Sequence, residues 1–265
     1  MCNREVKFGA FWKWAKDQGA DYIATGHYAE NKEGRLIVSK DKNKDQTYFL
    51  WTLTRDDLKH ILFPIGHLLK SEVRELARKF KLPNAEKKDS QGLCFIGKVD
   101  VKEFLKHYIK TQKGDIMNEK KQVIGHHPGA LLFTIGERHG FTITEKTPND
   151  RPYYVVGKDI ATNKITVSNG KGARRGDVPD ASKTSSTVAN ILDVNWVREA
   201  PKIGQGLAAR SRYRAPLYKS TVTSVADGSA TLKFLEPQET LTPGQSLVIY
   251  GGPNGDECLG GGILV

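Results

Sequence analysis

The stretch "ADYIATGHY", residues 20–28, decides the fold. Tyr22, Ile23 and Ala24 form a short apolar run without polar alternation, which fits a strand covered on both faces, as in a parallel sheet. The run stops at Thr25-Gly26-His27, small and polar residues of the kind that open a loop at a strand's carboxyl end. In open α/β sheets that edge is where ligands bind.

Upstream, Phe8, Phe11, Trp12 and Ala15 fall at i, i+3, i+4 and i+7, with Lys7, Lys13 and Lys16 on other faces. This spacing predicts a helix over 4–18, ended by Gly19, with its aromatic stripe in the core. Downstream, "RLIVSK" (35–40) reads as a second strand and "KNKDQTYFLWTL" (42–53) as entering a helix near Asp45. "RDDLKHILF" (55–63) reads as helical up to Pro64, and Val73, Leu76, Ala77 and Phe80 predict a helix from Ser71 that "LPN" stops. Asp100 and Glu103 resemble a capping box for one more short helix.

From Gly114 onward the apolar period switches to two, and Gly, Pro, Asp and Asn punctuate the segments. That pattern predicts β structure, ending in a barrel of about 80 residues. "KGARRGDVPDASKTSS" (171–186) reads as a linker. The expected domains are therefore 1–104, 105–170 and 186–265, joined by a linker at 171–185. The expected class is α/β plus β: an α/β domain, a small mixed α+β domain and a β-barrel.

The 265 residues carry 41 Lys and Arg against 30 Asp and Glu, a net +11 that favours polyanions such as nucleic acid. No stretch approaches the roughly 18 consecutive apolar residues of a membrane helix, and the start lacks the pattern of a secretory signal. A soluble, cytoplasmic protein with no membrane partner is expected. Three cysteines without C-x-x-C or zinc-type spacing argue against a structural metal and against a secreted disulfide framework.

The thiols differ in setting. Cys94 ends the polar turn "EKKDSQGLC" beside Lys87 and Lys88, a setting that promotes a thiolate, although a small apolar residue opening "CFIG" fits the local sequence better. Cys2 precedes a basic helix whose amino-terminal dipole favours a thiolate, although an incidental exposed thiol fits the local sequence better. Cys258, in "GDECLGGGILV", reads as core.

Taken together, "CNREVKFGAF", "GADYIATGHYA", "DKNKDQTYFLWTL", "LPNAEKKDSQGLCFIG", "RSRYR" and "TPGQSLVIY" resemble the tRNA-specific 2-thiouridylase family along nearly the whole chain. The resemblance implies an adenine-nucleotide α-hydrolase-like (PP-loop ATPase) domain, a central domain and a barrel. It also implies formation of 2-thiouridine at the wobble position of tRNA from ATP, Mg2+ and persulfide sulfur. By resemblance Cys94 carries the persulfide and Cys2 is its catalytic partner, which overturns the local reading of Cys94. Gly26 takes the place of a nucleotide-contacting glycine. His27, Lys44, Asp45, Gln46, Arg212, Tyr213 and Gln245 take those of tRNA contacts. The implied partners are tRNA and a persulfide donor, such as a cysteine desulfurase or a sulfur-relay protein.

The resemblance has a gap. The family's Ser-Gly-Gly-x-Asp-Ser phosphate loop is not in this sequence, and "NGKGARRG" (169–176) is a poor substitute between predicted strands. About a hundred residues of the first domain are expected to be missing, so the alternative is a non-catalytic tRNA-binding fragment or a half-enzyme served by a separate ATP-binding chain. A thiol-disulfide oxidoreductase is disfavoured because no C-x-x-C exists.

Overall fold

The computed structural model describes residues 2–86, 103–104, 107–144, 150–170, 186–238 and 241–265. Cys94, the expected linker and the helix start at Asp100 lie outside the described residues. Two compact units are present, one joining Met1–Asp89 with Ser185–Val265 and the other formed by Ser90–Thr184.

The chain opens with a wide π-helical coil, Cys2–Phe11, that tightens into α1 (Trp12–Asp17). The expected aromatic stripe divides: Phe8 and Ala15 are buried and Trp12 packs against the same core, while Phe11 lies exposed against Trp14. The wide first ten residues break the 3.6-residue period on which that stripe was drawn. Gly19 then turns the chain with φ +86 into β1 (Ile23–Ala24). The hairpin β2 (Ala29–Lys32) and β3 (Arg35–Val38) follows, and Thr47–Phe49 make one 3-10 turn where the sequence suggested a helix.

α2 spans only Arg55–Leu58. Thr54 and Asp57 close a reciprocal cap at its start, with the Asp57 N–H donating to Thr54 Oγ1 at 3.1 Å and the Thr54 N–H donating to Asp57 Oδ2 at 2.8 Å. The rest of the predicted helix is instead β4 (Ile61–Leu62), which pairs in parallel with β1 through Ile23 with Ile61 and Ala24 with Leu62. This is the parallel pairing that "ADYIATGHY" predicts. Next comes α3 (Lys70–Lys79), started by the Glu72 carboxylate accepting the Leu69 N–H at 2.5 Å. Its apolar stripe is not core among the described residues, since Leu76 and Phe80 are exposed.

The second unit is a sheet of β5 (Gly114–Met117), β6 (Val123–His127), β7 (Thr142–Ile143), β8 (Tyr154–Asp159) and β9 (Lys164–Ser168), in the order β7-β6-β5-β9-β8. Its core is Ile116, Val155, Ile165 and Val167, inward residues of the strands, together with Phe133 from the connection between β6 and β7.

The last part of the chain is the barrel that the strand spacing predicts. It consists of β10 (Ser186–Trp196), β11 (Gly206–Arg210), β12 (Tyr218–Ala226), β13 (Ser229–Gln238), β14 (Ser246–Gly251) and β15 (Glu257–Leu264). The order β10-β13-β12-β11-β14-β15 closes because β10 pairs with β15 as well as β13. Closure rests on Gly260, at φ +145, where a Cβ would stand 2.1 Å from the Asn195 carbonyl oxygen. The early hairpin extends this same sheet, with β3 pairing to β15 through Leu36 and Ile37. One core therefore holds Phe8, Leu36, Leu50 and Leu58 from the first segment with Val248, Tyr250 and Cys258 from the barrel. No described helix is long and apolar enough to cross a membrane.

Candidate functional site

The first cluster lies at the carboxyl end of β1. Gly26 is exposed there, with only the Ile65 side chain, at 3.9 Å, near the place of a Cβ. That leaves its backbone open to solvent. His27, expected at the tRNA, is instead 7% exposed, packed between the rings of Phe8 at 5.7 Å and Phe63 at 6.1 Å. Lys7 Nζ stands 3.4 Å from His27 Nε2 and Thr25 Oγ1 stands 2.9 Å from Nδ1. An ammonium only donates, so Nε2 is the bare nitrogen and Nδ1–H donates to Thr25. Burial, reinforced by the Lys7 charge, lowers the His27 pKa to about 4, so the ring is neutral at physiological pH.

A second cluster forms where the turn 44–50 meets the barrel. Tyr48 Oη lies 2.9 Å from the carbonyl oxygens of both Ser211 and Ser246 and shares its one proton between them, which pins the turn to the barrel at the end of β11 and the start of β14. The Phe49 ring faces outward and meets Tyr213 with centroids 4.7 Å apart. Arg212 Nε donates to Gln245 Oε1 at 3.5 Å, and the Arg214 guanidinium lies 5.1 Å over the Tyr213 ring. Arg212 and Arg214 occupy the turn after β11, with Arg214 at φ +64. Gln46 folds back on the chain, its Oε1 accepting the Tyr28 N–H at 3.0 Å, and Lys44 is half-buried.

Asp45, the third expected tRNA contact of that turn, points inward. It is 3% exposed and accepts from Arg210 Nη2 at 2.7 Å and Thr47 Oγ1 at 2.8 Å, and from the Ser39 and Thr47 N–H groups at 3.3 and 3.4 Å. Arg210 Nη2 also donates to Tyr250 Oη at 2.7 Å. A buried carboxylate needs such partners, so Asp45 fastens the turn to the barrel. Arg210 and Tyr250 are not among the residues singled out from the sequence, because Asp45 stands in the polar run "KNKDQT" and nothing local marks it as buried.

The amino-terminal coil joins the two clusters. Asn3 Nδ2 donates to the Phe49 carbonyl oxygen at 2.9 Å, and Lys7 and Phe8 touch His27. Cys2, half-buried, opens this coil. Cys258 lies within the core, and burial raises its thiol to about 12, which removes it from thiolate chemistry. Among the described residues no group of His, Cys, Asp and Glu could hold a metal ion.

Comparison with known proteins follows this architecture. The tRNA methyl transferase HUP domain family matches residues 1–98, the tRNA methyl transferase PRC-barrel domain family 102–169, and the aminomethyltransferase beta-barrel domain family 186–264. Among similar curated proteins, tRNA-specific 2-thiouridylase MnmA 2 of Geobacillus kaustophilus is 44% identical over 269 residues, covering all of this chain and 69% of its own length. The MnmA proteins of Streptococcus thermophilus and Listeria innocua are 43% and 42% identical over 271 and 268 residues, each again with the whole chain matched and 69% of its own length covered. The chain belongs to the tRNA-specific 2-thiouridylase family.

Proposed function

We propose that the protein acts as a tRNA uridine 2-sulfurtransferase, forming 2-thiouridine at the wobble position. The observation that carries this reading is 42–44% identity to curated 2-thiouridylases over the whole of this chain and 69% of their length, running through all three matched domains. The cationic rim of Arg212 and Arg214 beside the turn 44–50 suits a polyanionic, partly single-stranded substrate.

In this reading Cys94 carries the transferable sulfur as a persulfide taken from a protein donor such as a cysteine desulfurase or a sulfur-relay protein. The terminal sulfur bonds to C2 of uracil as the C2–O bond breaks. Cys2 thiolate then attacks Cys94 Sγ, the bond between Cys94 and the transferred sulfur breaks, and a Cys2–Cys94 disulfide is left for an external thiol to reduce. ATP with Mg2+, when bound, turns the C2 oxygen into a leaving group. Gly26 suits one contact to such a nucleotide, and no phosphate-holding loop of the family's form is among the 265 residues, so no phosphate contact is assigned to this chain. Lys44, Gln46, Arg212, Tyr213 and Gln245 grip tRNA, while Asp45 and His27 act from inside, holding the surfaces on which those residues stand.

The test is thiolation of tRNA by the protein as isolated from its cell, read as 2-thiouridine by nucleoside mass spectrometry. Cys94→Ser is expected to abolish product while tRNA still binds, and Cys2→Ser to stall after persulfide loading. Undiminished thiolation by Cys94→Ser would overturn the reading. Binding without thiolation by the unaltered protein would favour the non-catalytic alternative.

A further inference from the structure

We propose that Phe49, backed by Tyr213, is a stacking face for one unpaired base of the tRNA. The proposal rests on the tRNA reading above and adds to it a contact of stated chemistry at a residue that reading leaves unused.

Phe49 is 43% exposed although Leu50 beside it is fully buried and Tyr48 is half-buried. A single exposed phenylalanine is ordinary on a protein surface. This one is set in a built ledge. Its ring packs on Tyr213 at 4.7 Å and 42°, and the Tyr48 ring meets Phe49 edge-on at 5.4 Å. The backbone beneath is fixed on both sides: the Phe49 N–H donates to the Gln46 carbonyl at 2.9 Å, and the Phe49 carbonyl accepts from Asn3 at 2.9 Å. Tyr48 ties the same turn to the barrel through its hydroxyl. An aromatic face held this firmly loses little conformational freedom when it binds.

The surroundings select the occupant. Arg212 and Arg214 are exposed on the turn that carries Tyr213, within a chain of net charge +11. Cations beside an aromatic face are the combination that holds single-stranded nucleic acid, the base on the ring and its phosphates on the guanidinium groups. Tyr213, the ring that backs Phe49, sits between Arg212 and Arg214 in sequence and carries the Arg214 guanidinium 5.1 Å from its centroid, so the ledge is bordered by charge on that side. The contact needs only a π-face, so it holds whichever base is presented, and it fits a loop nucleotide flanking the target better than the target itself. Through Asn3 the ledge lies one hydrogen bond from the coil that Cys2 opens, so a base seated there would hold the loop against the side of the site that carries Cys2.

The experiment measures binding of anticodon stem-loops, each with 2-aminopurine at one unpaired position, to the unaltered protein and to Phe49→Leu, Phe49→Ala and Phe49→Trp. One position is expected to be quenched by the unaltered protein. Leu and Ala are expected to remove that quenching and weaken tRNA affinity by about 5- to 150-fold, with Trp restoring both. A leucine variant that binds and quenches like the unaltered protein would overturn the proposal, since apolar bulk alone would then suffice. Loss in every variant, Trp included, would overturn it too. If the unaltered protein bound no stem-loop and no tRNA, the tRNA reading itself would fail, a result distinct from either.

Discussion

Arg210 and Asp45, 165 residues apart in sequence, meet at 2.7 Å with 11% and 2% of their side chains exposed. The pair fastens the turn that bears Lys44, Gln46 and Phe49 to the last residue of β11. Removing one partner strands the other charge in a low-dielectric site, which costs far more than the net value of the pair. Arg210→Met is therefore expected to lower stability by about 3–5 kcal/mol, and Arg210→Met with Asp45→Asn to recover more than half of that loss. Urea unfolding at pH 7 checks this. A loss in the double variant equal to the sum of the losses of Arg210→Met and Asp45→Asn measured alone would mean that the pair is not coupled.

His27 predicts a pH dependence whose sign follows from its burial. Its pKa is about 4 in the folded chain and 6.5 as a free residue, so between these values the unfolded chain takes up a proton that the folded chain refuses. Its contribution is full above pH 6.5 and is lost as pH falls toward 4, to a total on the order of 3 kcal/mol. His27→Gln should flatten that part of the stability profile. Lys7→Met should raise the His27 pKa, because it removes the second cause of the shift. A histidine-resonance titration by NMR with a His27 midpoint near 6.5 would refute the burial argument.

These two sites show where the sequence could be read and where it could not. The parallel strand at Ile23 and the barrel were legible because their apolar patterns are local and long enough to count. The pairing of β3 with β15 was not, since the register between Leu36 and Cys258 is set by a shared core that no window of sequence contains. "RDDLKHILF" looked continuous, but the cap at Thr54 starts only four helical residues, and Ile61 and Leu62 gain more by pairing with β1. The site was legible as a set of residue types and not as a set of directions. "KDQTYFL" offers no way to tell that Asp45 and Leu50 turn inward while Phe49 turns out; a single 3-10 turn, pinned by Tyr48, decides it.

The thiols should separate by reactivity. Cys258 is sealed beside the Thr47 carbonyl, with Sγ 4.0 Å from that oxygen, and its pKa near 12 leaves almost no thiolate at neutral pH. Iodoacetamide at pH 7.5 is expected to alkylate Cys2 in the native protein and to spare Cys258 until denaturant is added, as read by peptide mass mapping. Cys258→Ala is expected to cost about 1–2 kcal/mol through lost packing and to leave sulfur transfer intact. A sulfur-transfer defect greater than its stability defect would give Cys258 a chemical role that its burial denies.

Arg212 and Arg214 should register in the salt dependence of tRNA binding. Both are exposed on the turn after β11, on either side of the Tyr213 that packs on Phe49. Each phosphate neutralised on a single strand releases a counterion and steepens the fall of log K with log salt by about 0.7. Arg212→Ala and Arg214→Ala are each expected to reduce that slope by about 0.7 to 1, with affinity falling for every tRNA sequence tested. Phe49→Leu should weaken binding at all salt concentrations with the slope unchanged, because stacking releases no counterion. Parallel slopes for all four proteins would remove both arginines from the phosphate contacts. A changed slope for the leucine variant would mean that Phe49 positions a cation and does not stack a base.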